Sequence, residues 1–224
     1  MVNKMLENLK RVLAEIEKGN NLGEKIILVG ATKTKDVETI NLAVENGLKV
    51  VAENRVQEFN AKHEQIKNAE HHFIGHLQTN KVKYLVGKVE LIHSVDSIKL
   101  CEEIDKTAEK RGVVQKILIE VNVGGELSKS GFTPDNTIEA VERLSKLKNV
   151  QIKGLMAMLP KSDDQAYLAS LCAKMRNIYQ QLKDLFPSFE FLSMGMSNDY
   201  KTAIANGSNM IRLGKTIFGE RGEN

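Results

Sequence analysis

Eight short apolar runs are spread along this 224-residue chain, and a segment with helical character follows each of the first seven. The runs are 26–32, 50–52, 72–75, 91–95, 117–123, 152–158, 189–194 and 210–214. They are largely continuous rather than alternating, which is how a strand buried on both faces reads. Helix signals lie between them: Asp36 as a cap for a helix running to Gly47, helices over 56–67, 97–111 and 164–185, starts near Asn80 and Asn198, and Pro134 in a first turn. Strand–helix repetition implies parallel pairing with helical crossovers. Eight such units in a chain of this size predict an α/β fold, a (β/α)8 barrel of the TIM type, for which roughly 200 residues is the lower end. A doubly wound open sheet would carry a glycine-rich phosphate loop after its first strand, and Ala31-Thr32-Lys33-Thr34-Lys35 has no glycine there. An amphipathic segment, 3–18, precedes the first strand, with Met5, Leu9, Val12, Leu13 and Ile16 apolar. The expectation is one barrel domain over 1–224 with an additional N-terminal helix.

Charge and cysteine usage narrow the partners. The net charge is +3 and the basic residues are scattered, so neither a nucleic-acid nor a membrane partner is expected. No apolar run approaches the ~20 residues that span a bilayer, and Met1-Val2-Asn3-Lys4-Met5-Leu6-Glu7 lacks the apolar core of a signal peptide. Cys101 and Cys172 lie far apart in helix-like contexts and read as small buried apolar groups, which suits a reducing compartment. The expected location is the cytoplasm. The expected state is a monomer, because the outer helices show no extra apolar stripe.

In a barrel the chemistry sits at the C-terminal ends of the strands. Those ends offer Lys33, Asn54, His76, Asp96, Asn122, Met158, Ser197 and Arg212. Lys33 shares the parity of Ile27, Val29 and Ala31, so an apolar face ends in an amine. Such an amine is paired, snorkels from the strand end, or acts as a nucleophile toward an aldehyde. After strand seven, Met194-Gly195-Met196-Ser197-Asn198-Asp199 turns into a helix that Ser197 can cap, leaving amides outward for a phosphate. After strand eight, Gly214 permits close backbone approach and Thr216 offers a hydroxyl and an amide. Either turn alone would be an ordinary one; adjacent, they form the pair of loops where many barrels hold phosphate. Strand eight closes on strand one, which predicts Arg212 beside Lys33, able to donate to a ring nitrogen. A phosphate cradle, a lysine and an arginine on one rim fit pyridoxal 5'-phosphate (PLP). The histidines match no zinc spacing; His63 reads as solvated, and His76 as a pocket wall, a proton donor or a plain loop residue.

Longer strings carry a resemblance: Ala31-Thr32-Lys33-Thr34-Lys35, Ala52-Glu53-Asn54-Arg55-Val56-Gln57-Glu58, His72-Phe73-Ile74-Gly75-His76-Leu77-Gln78-Thr79-Asn80-Lys81, Ser128-Lys129-Ser130-Gly131, Gly154-Leu155-Met156-Ala157-Met158, Leu192-Ser193-Met194-Gly195-Met196-Ser197-Asn198-Asp199 and Arg212-Leu213-Gly214-Lys215-Thr216-Ile217-Phe218-Gly219. In this order they resemble the pyridoxal phosphate homeostasis protein family, whose barrel is similar to the N-terminal domain of bacterial alanine racemase. The resemblance implies that Lys33 bonds PLP as an imine, that Ser197, Gly214 and Thr216 surround the phosphate, and that Arg212 meets the pyridine nitrogen. It also implies that Asn54, His76 and Met194 line the pocket. Ala52 stands where the family often has glycine, and Asp36 where it often has proline.

An arginine at the ring nitrogen disfavours its protonation and so weakens the ring as an electron sink. The racemases supply a tyrosine base from a second domain. Here no further domain is expected after strand eight, and of four tyrosines only Tyr200 falls near the pocket. The expected function is a PLP-binding protein of vitamin B6 homeostasis that holds its cofactor on a lysine with little or no turnover. The alternatives are a PLP-dependent racemase or decarboxylase-like enzyme and a lysine-dependent aldolase on a phosphosugar.

Overall fold

The computed structural model describes residues 2–219, so Met1 and 220–224 of the expected 1–224 domain lie outside the described residues. Eight parallel strands close into one barrel in chain order: β1 Ile27–Ala31, β2 Val50–Glu53, β3 Glu70–Phe73, β4 Leu91–Val95, β5 Gln115–Glu120, β6 Val150–Met156, β7 Phe191–Ser193 and β8 Met210–Leu213. β8 pairs with β1, Val29 opposite Arg212. The helices are α1 Val2–Ile16, α2 Val37–Glu45, α3 Val56–Lys62, α4 Ile98–Arg111, α5 Thr137–Leu144, α6 Gln165–Leu185, α7 Tyr200–Ala205 and α8 Lys215–Phe218. The barrel and its extra N-terminal helix are those expected from the alternation.

Local chemistry sets the boundaries. Asp36 caps α2 by accepting from the Thr39 amide at 2.7 Å, and Ser197's expected counterpart is absent, because Asp199 is the N-cap of α7. The helix predicted over 56–67 ends at Lys62 and passes into a 3-10 turn, His63–Gln65; the helix predicted near Asn80 is entirely 3-10, Thr79–Tyr84. Pro134 opens a 3-10 turn, Pro134–Asn136, before α5. The fifth strand was expected to reach 123 and ends at Glu120. Beyond it the backbone pairs with the following loop instead, Phe132 donating to the Glu120 carbonyl and Asn122 to the Phe132 carbonyl. The seventh was expected from 189 and starts at Phe191, since the Phe189 amide is used by the turn at Phe186.

Parity divides the strands into two faces. Inside the barrel lie Val29, Val50, Ala52, Leu91, Leu118, Met156 and Met210, a small apolar cluster. Outside, Phe73, Ile92, Ile117, Ile119, Leu155 and Leu192 join α4, α5 and α6 in the larger core. α1 buries Met5, Leu9, Val12 and Ile16 with Ile40, Ile211, Leu213 and Ile217, covering the seam where β8 meets β1. β6 keeps its inward parity only through a bulge: Ile117 pairs Ile152 but Leu118 pairs Gly154, so Lys153 is the extra residue. Gly154 sits at φ +149°, and a Cβ there would lie 1.8 Å from the Phe191 carbonyl oxygen.

Candidate functional site

Lys33 follows β1 in a turn whose flanks are pinned. The Thr32 amide donates to the Ala52 carbonyl at 3.0 Å and its hydroxyl to Glu53 Oε1 at 2.8 Å. The Thr34 amide donates to Glu58 Oε2 at 2.8 Å, with Thr34 held at φ +65°. Lys62 on α3 joins these anchors, its Nζ 3.0 Å from Glu53 Oε1 and 3.2 Å from Glu58 Oε2. Burial pushes the Glu53 carboxyl up against the pull of Lys62 and Thr32. Lys33 itself is half-buried, and among the described residues its amine has no hydrogen bond or ion pair. Lys35, two residues on, reaches instead toward the Phe218 carbonyl at 3.4 Å.

The loops after β7 and β8 are joined by one bond, the Thr216 amide donating to Ser197 Oγ at 3.2 Å. The expected capping role of Ser197 is therefore corrected: its oxygen faces the neighbouring loop. Gly195 sits at φ +102°, and a Cβ there would come within 2.8 Å of Ala203 Cβ. A Cβ on Gly214 would come within 3.2 Å of the Ala31 carbonyl, so this loop lies close against the end of β1. Among the described residues the amides of Ser197, Asn198 and Gly214 donate to no protein acceptor. Asp199 beneath them is buried, and burial raises its carboxyl while the Met196 amide and Arg212 oppose.

Arg212 lies deeper than predicted. Its register partner is Val29, two residues before β1 ends at Ala31, whereas Lys33 lies two residues beyond that end. The two are at different depths of one mouth rather than side by side. Arg212 is 5% exposed, and its guanidinium donates to Ser193 O at 2.9 Å, Ser193 Oγ at 2.6 Å and Ala157 O at 2.9 Å. Three of its five N–H groups are so used, and the others have no partner among the described residues. Burial pushes it down to about 10, with Glu120 and Asp199 pulling upward, so it remains a cation at neutral pH.

Of the other predicted residues, Asn54 follows β2 with its Oδ1 buried and unpartnered. His76 is on the rim, its side chain 63% exposed, with Nδ1 3.2 Å from Asp96 Oδ2. Met194 is not brought to the mouth: it has the parity of Leu192, is fully buried and packs between strands and helices. Tyr200 does not reach the mouth either. Its hydroxyl donates to Glu15 Oε2 on α1 at 2.9 Å, and burial pushes it up to about 12.

Sequence reasoning passed over four inward residues: His72, His93, Glu120 and Ser193, each buried. His93 Nε2 lies 3.0 Å from His72 Nδ1, and Ser193 Oγ 3.3 Å from His93 Nδ1. Their signal was parity. His93 shares a face with Leu91, Glu120 with Leu118, and Ser193 with Phe191, so each apolar run hid one polar inward position.

An unpaired amine, unpaired amides on two joined loops, a spare guanidinium edge and an orphaned amide oxygen fit a small anionic aromatic aldehyde. The comparisons with known proteins agree with that chemistry. Residues 3–222 match the family model described as the alanine racemase N-terminal domain. A pyridoxal phosphate homeostasis protein of Aquifex aeolicus is 45% identical over 96% of this chain and 97% of its own. The solved structure of PipY from Synechococcus elongatus with PLP bound is 31% identical, covers 96% of this chain and 100% of its own, and superposes with a TM-score of 0.84. An alanine racemase of Clostridium difficile shares the fold at 14% identity, with a TM-score of 0.80, and this chain covers 60% of it. The chain belongs to the pyridoxal phosphate homeostasis protein family, built on the barrel of the alanine racemase N-terminal domain.

Proposed function

We propose that this protein binds PLP covalently on Lys33 and serves vitamin B6 homeostasis as a carrier with little or no turnover. The observation that carries the reading is the unpaired Lys33 amine, held by its pinned neighbours at the same barrel end as the free amides of Ser197, Asn198 and Gly214. The names of its relatives and the PLP in the PipY structure support the ligand. When bound, the cofactor supplies an aldehyde that a lysine amine captures reversibly.

The chain's own residues divide the work of binding. Ser197, Gly214 and Thr216 receive the phosphate, Ser197 and Gly214 through their free amides and Thr216 through its hydroxyl, since its amide is held by Ser197 Oγ. Arg212 offers one of its two remaining N–H groups to the ring nitrogen from below. Asn54 Oδ1 accepts from the ligand, and His76 with Asp96 borders the entrance. Low turnover is supported by two features. Arg212 keeps a permanent positive charge under the ring, and the hydroxyl of Tyr200, the tyrosine nearest the pocket in sequence, is taken by Glu15 on the far side of the barrel wall.

The test is the visible spectrum of protein supplied with PLP, before and after borohydride, with mass mapping of the modified residue. A band that disappears on reduction and a label on Lys33 are expected. Lys33→Ala abolishes the band and Lys35→Ala retains it. A colourless protein, or a label on Lys35, refutes the assignment. Rapid interconversion of L- and D-alanine by the loaded protein refutes the carrier reading.

A further inference from the structure

Below Arg212 a line of polar groups continues through the inside of the barrel toward its opposite end. Arg212 Nη1 donates to Ser193 Oγ at 2.6 Å. Ser193 Oγ lies 3.3 Å from His93 Nδ1, and His93 Nε2 lies 3.0 Å from His72 Nδ1. His72 Nε2 in turn faces Glu70 Oε2 at 3.7 Å, and the Glu70 side chain is open to solvent at the start of β3. Ser193 and His93 are wholly buried, His72 nearly so.

The Arg212 end dictates the direction of the hydrogen bonds, and the Glu70 carboxylate, 3.7 Å from His72 Nε2, favours the same direction electrostatically. A guanidinium has only hydrogens to give, and a carboxylate has only lone pairs. Ser193 Oγ receives a hydrogen from Arg212, so its own hydrogen goes to His93 Nδ1. His93 must then carry its proton on Nε2 and donate to His72 Nδ1. His72 is left with its proton on Nε2, directed at Glu70. The reverse order would strand the buried Ser193 hydrogen without an acceptor and turn a ring lone pair onto the Glu70 carboxylate.

Both rings must be neutral for this, and their surroundings favour it. Burial holds His93 well below its ordinary range, with His72 and Arg212 adding to the effect. Burial also lowers His72, which Glu70 and Glu90 resist and Lys116 assists.

We propose that His93 and His72, each protonated on Nε2 alone, act as positioning residues: they hold the Ser193 oxygen toward Arg212 and thereby fix which two guanidinium N–H groups remain for the ligand. The direction of the bonds rests on the hydrogen-bond geometry alone. Its consequence for a bound cofactor rests on the preceding reading.

The experiment has two parts. Nitrogen-15 NMR of the histidine-labelled protein at neutral pH should show Nδ1 of both rings as unprotonated and Nε2 of both as protonated. A proton on either Nδ1, or a cationic ring, overturns the proposal. In PLP titrations, His93→Phe and Ser193→Ala should each weaken binding about tenfold and displace the visible band of the bound cofactor in the same direction. The double variant should be no worse than either single one, since both cut the same line. Unchanged band and affinity in both variants, or full additivity, overturns it. Protein that shows the expected histidine protonation yet takes up no PLP refutes the cofactor reading and leaves the direction of the line supported.

Discussion

Tyr200 shows how much one side chain's direction decides. By sequence it begins the helix next to the phosphate-type loop, where a base for a racemase would be useful. In space it belongs to the α1 seam: it packs with the cluster of Leu9 and Ile211 and gives its hydroxyl to Glu15. Tyr200→Phe therefore removes one hydrogen bond to a charged partner and touches no ligand. The expected loss is about 1 kcal/mol of stability in urea denaturation, with PLP affinity and spectrum unchanged. A variant that loses the cofactor band while keeping its stability would return Tyr200 to the site. Lys33 is the complementary case. Thr32, Thr34, Glu53, Glu58 and Lys62 all have bonded partners around it, and the amine in their midst has none.

At the scale of elements, what the chain discloses is period and punctuation. Continuous apolar runs placed all eight strands, and Asp36 placed the start of α2, because burial on two faces and an N-cap are both local demands. The departures are non-local. β5 stops at Glu120 since a loop twelve residues further on competes for its backbone, and Tyr200's direction is set by a helix at the other end of the chain. The site divides along the same line. Lys33, Gly214 and Thr216 stand in the turns that their loop chemistry predicted, but Ser197 faces the neighbouring loop instead of capping α7, the depth of Arg212 follows from strand register, and Met194 points away from the mouth by its parity with Leu192. The β6 bulge is the element on which inward parity depends. Gly154→Ala would drive a methyl group to 1.8 Å from the Phe191 carbonyl at a backbone angle that L-residues avoid. The only relief is to move β6 from β7, or to lose the bulge and turn Met156 out of the barrel. The expected cost is about 3 kcal/mol or more in the denaturation midpoint, whereas Gly125→Ala, with open space around its Cβ, serves as the control for left-handed strain alone.

For the molecule as a whole, the barrel interior is the unusual region: a small apolar cluster shares it with His72, His93, Glu120, Ser193 and Arg212, all buried. Charge placed there makes folding stability depend on pH in two opposing ways. His72 and His93 are held neutral by burial, below their ordinary value of 6.5, so the unfolded chain binds more protons under that pH and the fold loses stability as pH falls; His71, on the outer face of β3, adds in the same sense. Glu120 acts in the other sense. Burial foremost, then the nearby Asp96 charge, pushes its carboxyl from 4.5 up to about 7 against the attraction of Arg212. Between those values the folded protein holds a proton that the unfolded chain has released, so this contribution shrinks as pH rises from 4.5 to 7 and is then constant. Glu120→Gln imitates the protonated acid and removes that loss, while the histidine contributions are common to both proteins and cancel in the comparison. The variant's stability advantage over the parent should widen by roughly 2–3 kcal/mol between pH 5 and pH 8 in urea denaturation. A constant difference across that range would mean that Glu120 titrates as an ordinary carboxylate, and that the guanidinium of Arg212 fully compensates its burial.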